Sequence, residues 1–221
     1  MATNNAINTT SGKITLEKAA SDLQTTYIGG NTWSIGLDDD DGDSFKISKA
    51  AALGTSDTFK MTTAGELTMP LQPVFLATGT TENNVTGDGT VALLGTTLAF
   101  TAITNQGSCF NVGGGGTAAT FTAPVTGTYL FSYIIQFFSP AGGGDRVWIM
   151  IRTSNRDYYV TNVPTRNRLA NFMGNNDRLS FSNVIVADMD IGDTTTFTFA
   201  SYNGAKTDDV INAGVGGFLI C

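Results

Sequence analysis

The chain has 221 residues, of which 41% are hydrophobic and only 14% charged, enough apolar material for one medium all-β domain with an appendage and too little for two large domains. Its net charge of −7, from 12 basic and 19 acidic residues, excludes general nucleic-acid binding, because phosphates are neutralised by clustered Lys and Arg. His is absent, which removes Ser-His-Asp and Cys-His nucleophiles and the commonest general base near neutral pH.

Residues 1–28 are polar, with neither a basic start nor an apolar run of signal-peptide length, and no later stretch is long enough to span a bilayer. Within them, residues 15–23 have the spacing of a short helix presenting Leu16, Ala19, Ala20 and Leu23. That face is too thin to hold a helix alone, so the segment is expected to dock on something larger. It reads as an attachment segment that joins the chain to other proteins.

Residues 29–70 change to short alternating strands separated by Gly and Asp. Trp33, Ile35 and Leu37 share one side of the first. Ser44-Phe-Lys-Ile-Ser48 and Thr58-Phe-Lys-Met-Thr62 then repeat a polar-Phe-Lys-apolar-polar pattern. Each strand carries two or three apolar side chains on one face, far below what a self-sufficient domain of this size needs. The expected remedy is three copies about one axis, with Trp33, Ile35, Phe45, Ile47, Phe59 and Met61 forming the core of a trimeric stalk. Between the first two strands, the run Asp38 to Asp43 fails the EF-hand template at its first and twelfth ligand positions, Leu37 and Ser48, so it is read as a solvated turn and no metal is assigned.

Residues 71–221 read as a globular β-sandwich head. Strands are expected at 74–77, 91–94, 98–104, 118–122, 128–138, 146–153, 158–163, 179–187, 194–202 and 216–220. Along the fifth of these, Tyr129, Phe131, Tyr133 and Ile135 alternate with Leu130, Ser132, Ile134 and Gln136, so both faces are partly apolar. A strand covered by its partner sheet on one side and by a neighbouring subunit on the other has this pattern. Two cysteines, Cys109 and Cys221, permit one bridge or two free thiols.

The run Phe121-Thr-Ala-Pro-Val-Thr-Gly-Thr-Tyr-Leu-Phe-Ser-Tyr133 resembles the signature of the globular head of complement first component, subcomponent q, with Phe121, Pro124, Gly127, Tyr129, Phe131 and Tyr133 in its positions. Gly192-Asp193 is similar to that family's Gly-Asp turn, and Gly217-Phe218 to its closing strand. The resemblance covers residues 72–221 and implies a jelly roll of the tumour necrosis factor type and a compact homotrimer. No Gly-x-y repeat precedes the head, so the collagen stem of the animal proteins is missing. The preceding region is instead similar to stalk segments of phage and other viral fibres.

All the Arg residues (Arg146, Arg152, Arg156, Arg166, Arg168 and Arg178) lie between 146 and 178, beside Tyr158 and Tyr159. Arg166, Arg168, Arg178, Tyr158 and Tyr159 are therefore candidates for binding a host-surface glycan or protein, with pairing to Asp145, Asp157 and Asp177 as the structural alternative. Asp188, Asp190 and Asp193 cluster as glycosidase carboxylates do, yet they flank a turn where Asp is expected anyway. These readings combine into a non-enzymatic, cofactor-free virion fibre on the capsid surface or tail, whose head attaches to a host. A capsid decoration protein and a secreted lectin-like protein are the alternatives.

Overall fold

The computed structural model describes residues 20–79, 81–97, 99–138, 146–164, 178–202 and 204–221, with the side chains of 159–164 left out. Two compact units divide at Gln72/Pro73. Most of the residues expected to form the short helix lie outside the described residues. Leu23, the last of them, instead opens a strand, because its backbone pairs with Leu37.

The first unit is an antiparallel meander of β1 (Leu23–Ile28), β2 (Thr32–Asp38), β3 (Ser44–Ser48), β4 (Asp57–Met61) and β5 (Leu67–Thr68). The register places Ile35 opposite Ile47, Ile47 opposite Phe59, and Phe45 opposite Met61, so the apolar members of all these strands share one face. Gly36 is required in the meander. A Cβ there would come within 2.0 Å of the Leu23 carbonyl oxygen and 2.7 Å of the Gln24 Cα.

The second unit is a jelly-roll sandwich. One sheet runs β10 (Phe110–Asn111), β11 (Thr120–Thr122), β16 (Thr194–Tyr202), β13 (Arg146–Thr153) and β14 (Asp157–Pro164), with β8 (Ala92–Leu93) also on β16. The other runs β15 (Arg178–Met189), β12 (Gly127–Phe138), β17 (Asp208–Leu219), β6 (Val74–Gly79) and β9 (Thr101–Gln106), with β7 (Glu82–Thr86) also on β17. From β12 onward the chain crosses repeatedly between the sheets, which is the jelly-roll connection. Three strands were not foreseen: β1, which lies in the stretch read as a polar attachment segment, and β7 and β10, which are polar or very short and carry little alternation to read.

Between the sheets lies an aromatic core. Tyr129, Phe131, Tyr133, Ile135 and Phe137 of β12 are all buried, as are Phe197 and Phe199 of β16 and Val147, Ile149 and Ile151 of β13. Phe75 stacks on Phe110 at 4.4 Å and on Phe121 at 5.3 Å, and Phe121 meets Tyr129 and Phe131 edge-on. The Tyr129 hydroxyl donates to the Val125 carbonyl at 2.8 Å, fixing the turn after the half-buried Pro124 that leads into Gly127.

Gly217 faces inward, and Phe218 of the same closing motif faces out and is exposed, so Phe218 is not part of the core. The Gly has a packing reason. A Cβ at 217 would lie 2.6 Å from Cδ1 of Phe131 and 2.7 Å from Cε1 of Phe75. Gly217→Ala is expected to cost the head roughly 1–3 kcal/mol through overpacking, read as a melting temperature lowered by roughly 3–10 °C. Calorimetry checks this, and an unchanged transition would disprove the packing role.

Candidate functional site

In the meander, polarity is distributed against the usual order. The outer-facing rows of a small sheet are normally polar, yet here Trp33, Leu37, Met61 and Leu67 are 38%, 40%, 40% and 57% exposed. Ile35, Phe45, Ile47 and Phe59 on the same face are half-buried, with Phe45 and Phe59 meeting edge-on at 6.2 Å. On the opposite face Ser34, Asp38, Ser44, Lys46 and Ser48 are buried. The cover over that polar face is the 49–56 connection. Ser34 Oγ donates to the carbonyls of Ala50 and Ala51, and the Gln24 side chain donates to Ala51 and accepts from the Leu53 amide.

The centre of this polar layer is the Lys46 ammonium. It lies 2.7 Å from Asp38, 2.6 Å from Asp41 and 3.1 Å from Asp57, and Lys60 adds a 2.7 Å pair with Asp41. Burial by itself would push the ammonium's pKa down, but the hydrogen bonds to Asp38, Asp41 and Asp57 outweigh it and hold Lys46 well above the usual lysine range. Hydrogen bonds from Lys46 and Lys60 bring Asp41 down to about 2. At Asp57 burial opposes ionisation, and the Ser48 hydroxyl and Lys46 overcome it, leaving the carboxyl below its usual value.

This corrects the reading of the acidic run as a solvated turn. Asp39 to Asp41 form a short 3-10 turn, and Asp39, Asp40 and Asp43 do face solvent, but Asp38 is 4% exposed and Asp41 reaches back to two lysines. Asp38 and Asp41 are structural counter-ions. Among the described residues no group of acidic or thiol side chains is arranged to hold a metal ion.

The head also exposes an apolar sheet face. Leu76 of β6, Ile134 of β12, Val184 and Val186 of β15 and Phe218 of β17 are 44–55% exposed, on the side of their sheet opposite the core. Gly214 and Gly216 run through the middle of this face and leave a furrow beside Ile134. Leu130 and Ser132 complete the outer row of β12.

The candidate ligand residues of the head are not brought together as a set. Arg166 and Arg168 lie outside the described residues, as does the side chain of Tyr159. Tyr158 is half-buried and packs against the core cluster, so its ring is not a free stacking platform. Arg178 is exposed at the start of β15. Arg152 is engaged by Asp157 through two bonds of 2.8 and 3.3 Å. Asp193 accepts from Ser154 Oγ, Asn155 Nδ2 and the Asp190 amide, and these bonds hold its carboxyl below the usual range and tie the Gly192 turn to the loop after β13. Asp188 and Asp190 are exposed. Both thiols are free, Cys109 buried and Cys221 exposed.

One cluster was missed in the sequence. Arg146 and Trp148, two residues apart on β13, share the outward face, and Tyr202 lies directly across from Arg146 on β16. The Arg146 guanidinium carbon sits 4.4 Å from the centre of each ring, and the rings are 4.8 Å apart. The signal was available: in a strand, the spacing Arg-x-Trp puts both side chains on one side.

No family model matches the chain, and no curated protein matches it. Among solved structures the chain is similar to the globular domain of zebrafish complement 1qA protein, at 18% identity over 68% of this chain and 98% of that one, with a TM-score of 0.42. It is also similar to murine APRIL at pH 5.0 (10% identity, 67% and 99% covered, TM-score 0.43) and to PRD1 vertex protein P5 (9%, 68% and 99%, TM-score 0.43). The jelly-roll assignment stands on the strand order given above.

Proposed function

We propose that this chain is the subunit of a homotrimeric viral fibre, most simply a phage fibre, that projects its head for attachment to a host surface. The observation that carries the reading is the inverted meander, which buries an ion network on one side and exposes its apolar side chains on the other. Such a sheet gains its missing core from identical neighbours. A second apolar face on the head supports the same arrangement. The number three comes from the resemblance of the 121–133 run to a family of compact trimers.

In this reading the residues ahead of β1 attach the trimer to a virion, the meander forms the stalk, and several weak head contacts on one particle combine into firm attachment. No catalytic residue is assigned. Mass photometry in native buffer is expected to report three chains per particle, and a stable monomer would overturn the proposal. Binding of the assembled protein to host cells then separates attachment from capsid decoration.

A further inference from the structure

The proposed attachment role leaves open what the head recognises, and the outward face of β13 and β16 carries a built feature. Arg146, Trp148 and Tyr202 form a half-buried group on an otherwise strand-regular surface. The guanidinium carbon lies 4.4 Å from both ring centres, between rings inclined at 56° to each other. Tyr202 is itself held, because the Gly89 backbone lies against it: a Cβ at 89 would fall 2.9 Å from the ring, and φ there is +94°. Ala200 stands opposite Trp148 in the ladder and leaves room for the indole.

An arginine so placed normally has a carboxylate partner, as Arg152 has in Asp157 on the same face. Arg146 makes no ion pair among the described residues, in a chain whose net charge is negative. The rings cover the side of the guanidinium that faces them, which leaves its outer N–H donors as the part able to receive a ligand. That edge matches a planar carboxylate through two hydrogen bonds. Stacking also removes most of the rotamer freedom that a surface arginine would lose on binding.

We infer that Arg146, held on Trp148 and Tyr202, is a binding site for a carboxylated sugar. The guanidinium edge takes the carboxylate, and the ring edges of Trp148 and Tyr202 meet the apolar side of the sugar. This rests on the host-attachment reading for its choice of a glycan over other carboxylates, but the site is a property of one head and does not need the trimer.

The test uses the full-length protein and follows its two indole N–H resonances, of which Trp148→Phe identifies one. Sialyllactose and a glucuronic-acid disaccharide are titrated against neutral lactose and against acetate. The carboxylated sugars are expected to shift the Trp148 resonance with millimolar affinity, as befits a single weak contact, and lactose is not. Arg146→Gln is expected to weaken this binding at least about tenfold, and Arg146→Lys, which keeps the charge but loses the fork, to weaken it several-fold. Arg152→Gln, on the same face but already paired, is expected to change nothing.

Sugar binding that survives Arg146→Gln would overturn the site, as would acetate binding as tightly as sialyllactose, since the site would then read charge alone. If the protein adheres to host cells and Arg146→Gln adheres equally, the site fails and the attachment reading stands. If the protein binds carboxylated sugars through Arg146 but adheres to no host cell, the site stands and the attachment reading fails.

Discussion

Lys46→Met is expected to unfold the amino-terminal unit at neutral pH while the head keeps its own melting transition. Lys46 and Asp38 have side chains only 4% and 6% exposed, and the ammonium is shared with Asp41 and Asp57. Methionine fills the volume of the aliphatic stem but leaves Asp38 buried and uncompensated, and breaking a buried ion pair from one side costs roughly 3–5 kcal/mol. A unit of this size with few buried apolar side chains has about that much stability in total. Trp33 reports on this unit and Trp148 on the head, so tryptophan fluorescence in a Trp148→Phe background isolates the effect. A Trp33 transition unchanged by Lys46→Met would disprove the role given to the network. Lys46→Met with Asp38→Asn is expected to recover part of the loss, since the buried charge then goes with its partner.

The same network sets the unit's response to acid. Asp41 and Asp57 titrate below the usual carboxylate value of 3.8 in the folded state, so the stability they contribute is in place above that value. It is lost as pH falls from 3.8 towards about 2. Lys46 acts in the opposite sense: its raised pKa contributes stability below 10.5 that disappears only at still higher pH. The Trp33 transition is therefore expected to hold steady through neutral pH, to fall in the acid range, and to fall on the alkaline side only above 10.5.

How much of this was legible in the sequence depended on period-two alternation. In β12 every second residue from Tyr129 to Phe137 is aromatic or Ile, and the strand, its two faces and its place in the core all follow from that pattern. Trp33, Phe45, Ile47 and Phe59 were readable as one apolar face for the same reason. The reverse face was not. Lys46 and Asp38 are charged, and residue type alone places them in solvent. They are buried by a tertiary event, the folding of the 49–56 connection across Ser34 and Gln24, which leaves no periodic trace. For the candidate ligand site, grouping arginines by sequence proximity mixed Arg152, already paired with Asp157, with Arg146, which is stacked on Trp148. Both lie on one face of β13, and what separates them is the cross-strand neighbour, Tyr202 for Arg146 and Asp157 for Arg152.

Placing one aspartate at the centre of each apolar face, as Ile47→Asp/Ile134→Asp, is expected to convert the assembled protein into single chains that keep a folded head. Ile134 is 52% exposed and Ile47 half-buried in the isolated chain, so an aspartate at either position keeps access to water and costs the single chain little. In the proposed trimer the same aspartate would meet two copies of itself near the threefold axis, in a space closed to solvent. Desolvating such a group costs several kcal/mol per chain, and like charges add to it. A loss of about 4 kcal/mol corresponds to a roughly thousandfold weaker assembly, enough to read as one chain per particle at nanomolar concentration. The head should keep its own melting transition, which distinguishes dissociation from global unfolding, while the meander loses stability with its neighbours. Ile47→Asp alone tests the stalk face and Ile134→Asp alone the head face, and the larger drop in assembly identifies the unit that holds the copies together. A doubly substituted protein that still weighs three chains would mean that neither face is the contact, and the inverted meander would then need another partner.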